Sequence, residues 1–231
     1  MTVAPALSVV LPVYRTRGEL PELHRRLREA VGGLGAVEVI FVNDACPDGS
    51  LEVLRHIERA DPDVRVLALD QRRGQHEAIC EGLAVARGHV VVIMDADLQD
   101  PPEAIPALVA KLGDGFGAVY AGRRGRYESR GRLATSWLFK HTVGGITGMP
   151  PDAGAFIAMS RAVAARAAAL RGTRPYLTAA IALIGRPVTS IPVAREARRT
   201  GRSAYTPAMR AGVAARAILQ ALRWRASSSL R

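Results

Sequence analysis

VVVIMDADLQDPPE, Val90 to Glu103, is the stretch on which the reading of the whole chain turns. Its first half, Val90 to Met94, is apolar and β-branched over the length of a strand covered on both faces. The second half changes character at once, to Asp95, Asp97, Gln99 and Asp100. Ligands in open α/β sheets bind outside the carboxyl ends of the strands. Acidic oxygens gathered just past a buried strand therefore stand where a cation and its phosphate partner are held. Asp95 and Asp97, two apart, can share one side of an extended turn, and Gln99 adds a third oxygen at the same spacing. Such hard oxygen donors suit Mg²⁺ or Mn²⁺. The same residues also read as a plain solvated turn, because two aspartates flanking one residue are a short and common string. Asp100 and Glu103 are expected to start a helix instead, Asp100 as the cap before Pro101 and Pro102 and Glu103 in the first turn.

Upstream, the chain repeats one unit. Leu7 to Val13 reads as a buried strand; Leu20, Leu23, Leu27 and Ala30 then recur at helical spacing behind Pro21, and Gly32-Gly33 stop the helix. Val37 to Val42 is a second strand, running into Asn43-Asp44 and the turn at Pro47 to Ser50, with Leu51, Leu54 and Ile57 on the helix that follows. Arg65 to Leu69 is a third, and its loop, Asp70 to Gln75, leads to a helix carrying Ala78, Ile79, Gly82, Leu83 and Ala86. Downstream, Ile105, Leu108, Val109 and Leu112 mark a helix and Gly117 to Ala121 a further strand. Val163 to Leu170 and Tyr176 to Ile184 read as helices and Val188 to Val193 as a short strand. Strands alternating with helices, ending in polar residues at one edge, predict an α/β fold with a mostly parallel, Rossmann-like central sheet flanked by helices.

The composition agrees with a globular chain: 231 residues, 48% hydrophobic and 23% charged, enough for one large α/β domain. The net charge of +11 is carried almost wholly by arginine, Lys111 and Lys140 being the two lysines. An anionic lipid or a phosphate-bearing substrate accounts for it as well as a nucleic acid does. Cys46 and Cys80 are too few for a zinc site or a disulfide framework, which points to a reducing, cytoplasmic setting. The N-terminal residues lack a basic region followed by an apolar one, so no signal peptide is expected. No apolar run approaches the roughly 20 residues of a membrane span.

Two further features bear on chemistry. Asp44, at the end of the second strand, is placed to accept from a nucleobase N–H or a ribose hydroxyl, although AsnAspAlaCysProAspGly is also turn-rich enough for Asp44 to satisfy its own loop. After the first strand there is neither GxGxxG nor a P-loop, so a bound diphosphate has to be held mainly by metal and arginines. Arg123 to Arg132 supplies five arginines in ten positions just past a strand end. Anion binding is the preferred reading of that run, with Arg123 and Arg132 as leading candidates, against an exposed loop of solvated charge.

Taken together, PxY after the first strand, NDxxPDGS after the second, GQxxAxxxGLxxARG, MDADLQDPPE, VYAGRRxR, PPDAGAFxxMSR and RxxGRSAY resemble the family 2 glycosyltransferases of GT-A fold. Among these the chain is most similar to the dolichol- and polyprenyl-phosphate sugar synthases, from about Ser8 to Tyr205. The resemblance implies a GT-A domain over residues 1–205, followed over 206–231 by an amphipathic helix and tail. It implies a nucleotide-sugar donor whose nucleoside is lined by Pro12, Tyr14 and Asp44. Asp95, Asp97 and Gln99 would surround Mg²⁺ or Mn²⁺, and Arg123, Arg132 and Arg198 would hold phosphates, with Gln75 and Ser203 as further substrate contacts. It implies an inverting displacement in which Asp97 and Asp152 are the catalytic carboxylates and a polyprenyl phosphate is the acceptor.

Asp152 lies in ProProAspAlaGly and corresponds to the family's acceptor-side aspartate. A phosphate monoester is largely ionised near pH 7 and needs positioning more than proton removal, whereas a sugar or alcohol acceptor would need a base. Two departures stand out, Ala155 where relatives commonly carry a second acid and Arg72 where they often have Asn. Arg198 to Tyr205, basic and broken by Gly201, would close over the bound donor; as a plain sequence it also reads as an exposed linker.

Pro207 to Trp224 predicts a last helix with Ala211, Ala214, Ile218, Leu219 and Leu222 on one side and Arg210, Arg216, Gln220 and Arg223 largely on the other. It suits a membrane interface, giving a peripheral protein at the cytoplasmic face, or packing against its own domain or a second subunit in a homo-oligomer. Three other classes remain. A nucleotidyltransferase would carry a glycine-rich loop after the first strand. A nucleic-acid-binding module would not need carboxylates at strand ends and would want more than four Phe and five Tyr for stacking. The third, a non-catalytic nucleotide-binding domain, differs from an enzyme only in turnover. Nucleic acid is not an expected partner.

Overall fold

The computed structural model describes residues 4–124, 141–173, 176–196, 219–220 and 222. Seven strands form one sheet, β1 (Leu7–Val13), β2 (Val37–Asn43), β3 (Val64–Ala68), β4 (Val90–Ile93), β5 (Ala118–Arg124), β6 (Ile157–Ser160) and β7 (Val188–Ala194), in the order β3-β2-β1-β4-β6-β5-β7. All pairings are parallel except those of β6, which runs antiparallel to both β4 and β5. The expected mostly parallel sheet is present, with one reversed strand that the sequence reading does not contain. Four residues, IAMS, are too few to show a period of two.

Helices cover both faces, which is why β1 and β2 are buried along nearly their whole length. Alternate residues of each strand enter opposite cores. Val9, Leu11, Val39 and Phe41 pack beneath α1 (Leu20–Val31), α2 (Ser50–Ala60) and α4 (Ile105–Leu112). Val10, Ile40, Val91 and Tyr120 pack beneath α3 (Gln75–Val85), α6 (Arg161–Ala168) and α7 (Leu177–Ile184). A helix whose described residues are 141–147, α5, precedes the loop into β6. α1 buries Leu20, Leu23, Leu27 and Val31 on one stripe. α3 lies unusually close to the sheet: a Cβ on Gly82 would fall 2.4 Å from Val10 Cγ1 and 3.0 Å from Val42 Cγ2.

Asp100 does not cap the helix as expected, although the prolines open it and Glu103 stands in its first turn. A capping carboxylate accepts from the second or third N–H of the helix, and the prolines at 101 and 102 leave little to accept. The short 3₁₀ turn Pro102–Ala104 has Pro101 at its cap position and no side-chain cap. Asp100, 3% exposed, instead accepts from Arg195 Nε at 2.7 Å. Glu103 takes two bonds of 2.8 Å from the Arg26 guanidinium, which lowers the pKa of its carboxyl.

Of the final helix expected over 207–224, residues 219–220 and 222 are described and helical; Leu219 and Leu222 are exposed, and Gln220 Oε1 accepts from the Tyr176 N–H at 3.0 Å. Among the described residues no helix is long and apolar enough to cross a membrane.

Candidate active site

Because β1, β2, β3, β4, β5 and β7 are mutually parallel, their carboxyl ends share one edge of the sheet. β6 is reversed, so the loop that enters it arrives at that same edge. The register Ile93↔Ile157↔Tyr120 thus places Asp95, Gly122 and the 152–156 loop beside one another. Backbone conformation marks this edge too. Arg15, Ala45 and Leu98, just past the ends of β1, β2 and β4, have positive φ of 57°, 47° and 58°. Each costs roughly 1–2 kcal/mol for a side chain with a Cβ, a strain that the surrounding packing has to hold.

Along the loop after β4 burial alternates. Met94, Ala96, Leu98 and Asp100 are buried, whereas Asp95, Asp97 and Gln99 are half-exposed between them. The buried Leu98 pins the middle of the loop. Asp97 Oδ1 accepts from the Gln99 N–H at 3.2 Å, and the Gln75 side-chain amide, at the start of α3, donates to Asp95. Among the described residues no group of three or more His, Cys, Asp or Glu forms a closed metal cage. Two carboxylates and an amide, all oxygen donors and all at the surface of the edge, fit Mg²⁺ or Mn²⁺ in the form these ions usually take, with the rest of the shell supplied by phosphate and water.

Asp44 is 3% exposed, and both its oxygens are engaged: Oδ1 accepts from Arg73 N at 2.6 Å and Oδ2 from Gly74 N at 2.8 Å. Its first role here is to fasten the loop before α3, where Gly74 takes φ of 91°; a carboxylate still has lone pairs left for a nucleoside. Tyr14 lies beyond the end of β1 with the Arg72 guanidinium 4.1 Å and that of Arg15 5.5 Å from its ring centroid. Pro12, within β1, is half-buried opposite Val42. In the turn after β2, burial opposes the charge on Asp48. Bonds from Cys46, from Ser50 and from the Arg17 N–H nevertheless hold its carboxyl down at about 2.

Asp152 is half-buried in the loop into β6, and its Oδ1 is buried with no hydrogen-bond partner among the described residues. It rests directly on the backbone of Gly122: a Cβ there would sit 2.1 Å from Oδ2. Next to this loop is a pocket of about 170 Å³ whose lining includes Gln75, His76, Ile93, Ala155, Tyr176 and Thr178. Its floor is fixed by the Tyr120 hydroxyl, which donates to the Thr178 carbonyl at 2.8 Å. Ala155 puts a methyl group into this pocket.

Arg123, the penultimate residue of β5, pairs opposite Val193, so its backbone belongs to the edge. Arg132, Arg198 and Ser203 lie outside the described residues. Gly122, His76, Tyr176, Arg26 and Arg195 were not singled out from the sequence. A glycine inside the β-strand run before Arg123 was the one available signal of close approach; the others are tertiary.

A nucleotide-binding α/β sheet whose acidic strand end faces a second carboxylate across the same edge is the layout of a sugar-transferring enzyme fold. The chain belongs to glycosyl transferase family 2, whose model matches residues 8–168. It is 33% identical over 202 residues to the uncharacterized glycosyltransferase YkcC of Bacillus subtilis (strain 168), a match covering 86% of this chain. It is also 33% identical over 204 residues to the undecaprenyl-phosphate 4-deoxy-4-formamido-L-arabinose transferase of Salmonella paratyphi B, covering 87% of this chain. The chain spans 62% of the length of both relatives. Among solved structures, glucosyl-3-phosphoglycerate synthase from Mycobacterium tuberculosis, in complex with Mn²⁺, UDP and glucosyl-3-phosphoglycerate, aligns with a TM-score of 0.64 at 21% identity, over 96% of this chain and 80% of its own. Mannosyltransferase PcManGT from Pyrobaculum calidifontis, in complex with GDP-Man and Mn²⁺, aligns with a TM-score of 0.63 at 23% identity, over 97% of this chain and 74% of its own. These last two establish the GT-A fold.

Proposed function

We propose that this chain carries the catalytic domain, residues 1–205, of a metal-dependent inverting glycosyltransferase that moves a sugar from a nucleoside-diphosphate sugar to a polyprenyl phosphate at the cytoplasmic face of a membrane. The observation that carries this reading is the alternation after β4. It turns Asp95, Asp97 and Gln99 outward at the edge where Asp152 offers a carboxylate oxygen without a hydrogen-bond partner among the described residues. The similarity to a transferase named for undecaprenyl phosphate supports the acceptor class.

Asp95, Asp97 and Gln99 would hold Mg²⁺ or Mn²⁺. Bound there, the ion would neutralise charge developing on the departing nucleoside diphosphate. Tyr14 and Asp44 line the nucleoside end, and Arg123 lies on the path of the diphosphate. The 170 Å³ pocket between Gln75 and Ala155 is the size of one sugar ring rather than of a whole nucleotide sugar. An acceptor phosphate oxygen attacks the anomeric carbon as the bond to the diphosphate breaks on the opposite face, giving net inversion. The acceptor is already ionised, so Asp152 orients it and needs to take no proton.

The test is nucleoside-diphosphate release from a panel of nucleotide sugars, with Mn²⁺ or Mg²⁺ or with EDTA, with and without a short polyprenyl phosphate. Metal-dependent release that requires the lipid is the expected result and identifies the donor. Metal-dependent donor binding with release stimulated by a soluble acceptor instead would replace the lipid with that acceptor, and binding of no donor would end the transferase reading.

A further inference from the structure

The loop after β4 is tied at its far end to a segment almost a hundred residues away. The Glu196 N–H donates to the Gln99 carbonyl at 2.9 Å, and Arg195 Nε donates to Asp100 Oδ1 at 2.7 Å. Arg26, on α1, bridges the two segments with one bond of 2.6 Å to Glu196 and two of 2.8 Å to Glu103. The Asp100–Arg195 pair is shielded, with side-chain exposures of 4% and 14%, and Arg26 is 13% exposed, whereas its partners Glu103 and Glu196 are 53% and 35% exposed. Asp100 Oδ2 is buried without a hydrogen-bond partner among the described residues, so the carboxylate relies on Arg195 for its countercharge.

We propose that Arg195 is a positioning residue for the metal ligands and acts through Asp100. Asp100 directly follows Gln99. Held inward by Arg195, it keeps the in-out alternation in phase, so that Asp97 and Gln99 face outward. With Arg195 gone, the charge on Asp100 is buried and bare, and the cheapest relief is to rotate it toward water. In an alternating segment that rotation drives Gln99 and Asp97 away from the outward face. The same contacts seat Glu196 beside the metal loop, because its N–H is bonded to Gln99 itself. Losing a partner that orients metal ligands typically costs about 10–100-fold in metal affinity.

This inference rests on the metal reading of Asp95 and Asp97, and the experiment separates the two. Mn²⁺ is titrated by EPR in the presence of UDP or GDP, and melting temperatures are measured without metal, for the wild type, Arg195→Met, Arg195→Lys and the charge-neutral double variant Arg195→Met/Asp100→Asn. Arg87→Met is the control. It breaks an arginine bond of 2.9 Å to the buried Glu38 at the opposite edge of the sheet. Arg195→Met is expected to bind Mn²⁺ at least tenfold more weakly, Arg195→Lys and the double variant, which has no buried charge to expel, to recover part of the loss, and Arg87→Met to melt earlier with unchanged Mn²⁺ affinity. If Arg195→Met melts lower yet binds Mn²⁺ like the wild type, or the double variant binds it as weakly as Arg195→Met, the inference is wrong. If the wild type binds no Mn²⁺ with either nucleotide, the metal reading fails and takes the inference with it.

Discussion

Gly122→Ala tests the acceptor side of the site by adding one methyl group. The new Cβ would lie 2.1 Å from Asp152 Oδ2, 2.7 Å from its Cγ and 3.1 Å from the Ile191 carbonyl oxygen. Ordinary contact begins near 3.4 Å, so the carboxylate has to withdraw by more than about 1 Å. The backbone cannot easily share the movement, because the Ala121 N–H donates to the Phe156 carbonyl at 2.9 Å and the Ala153 N–H to the Pro150 carbonyl at 3.1 Å. A displacement of about 1 Å in a group that orients a reactant costs on the order of 100-fold in rate, or roughly 2.7 kcal/mol of transition-state stabilisation. Steady-state release of nucleoside diphosphate should therefore show kcat about 100-fold lower, with Mn²⁺ affinity unchanged because Asp95 and Asp97 follow a different strand. In the double variant with Asp152→Asn the two losses should not add, since both act through one carboxylate. A kcat within twofold of wild type, additive losses, or a defect traced to metal binding would refute the placement of Asp152.

Gly82→Ala should lower stability rather than activity. A Cβ 2.4 Å from Val10 Cγ1 overpacks the α3 interface by about 1–3 kcal/mol, a fall in melting temperature of roughly 2–12 °C for a domain of this size. Asp48 should contribute to acid stability with a definite sign. Its folded-state pKa, about 2, lies below the ordinary aspartate value, so its contribution is complete above about pH 4 and lost as the pH falls toward 2. The stability gap between wild type and Asp48→Asn, read from urea melts, should be constant above pH 4 and close below it. Burial, with help from Glu77 and Glu81, pushes the Cys80 thiol up to about 12. Iodoacetamide at pH 8 should thus modify the partly exposed Cys46 and spare Cys80 until the protein unfolds, as peptide mapping would show.

β1, β2 and β4 could be read from sequence because a strand buried on both faces is a run of β-branched and aliphatic residues, and β3, at the edge of the sheet, because buried Val64 and Val66 flank exposed Arg65. β1 was bounded correctly to the residue, and β2 and β4 to within one. β6 was not legible, since IAMS carries no period and follows a turn-rich PPDAG. The proline pair after Asp100 shows a different limit. Pro101 and Pro102 open the helix but leave few N–H groups for Asp100 to cap, and the carboxylate pairs with Arg195, 95 positions away, where no local pattern could place it. Asp44 was weighed as either a nucleoside contact or a residue satisfying its own turn. It fastens a different loop, at Arg73 and Gly74, through both of its oxygens. The expected roles of Arg132, Arg198 and Ser203 fall outside the described residues.

The reversed strand that the sequence concealed is what gives the site two sides. β6 lies between β4 and β5 and pairs with both, Ile157 standing opposite Ile93 and Tyr120. Because it runs backwards, its entry loop, carrying Asp152 and Ala155, meets the edge at which β4 delivers Asp95 and β5 delivers Gly122 and Arg123. A parallel strand of the same four residues would bring that loop in at the far edge, about 13 Å away at 3.3 Å per residue. The donor-side carboxylates and Asp152 would then be on opposite ends of the sheet, and no side chain spans that gap. The same entry loop lines the pocket between Gln75 and Ala155. The short reversed strand is therefore the element on which the proposed acceptor half of the site depends, and Gly122, bare of a side chain, is the point at which β5 makes room for Asp152.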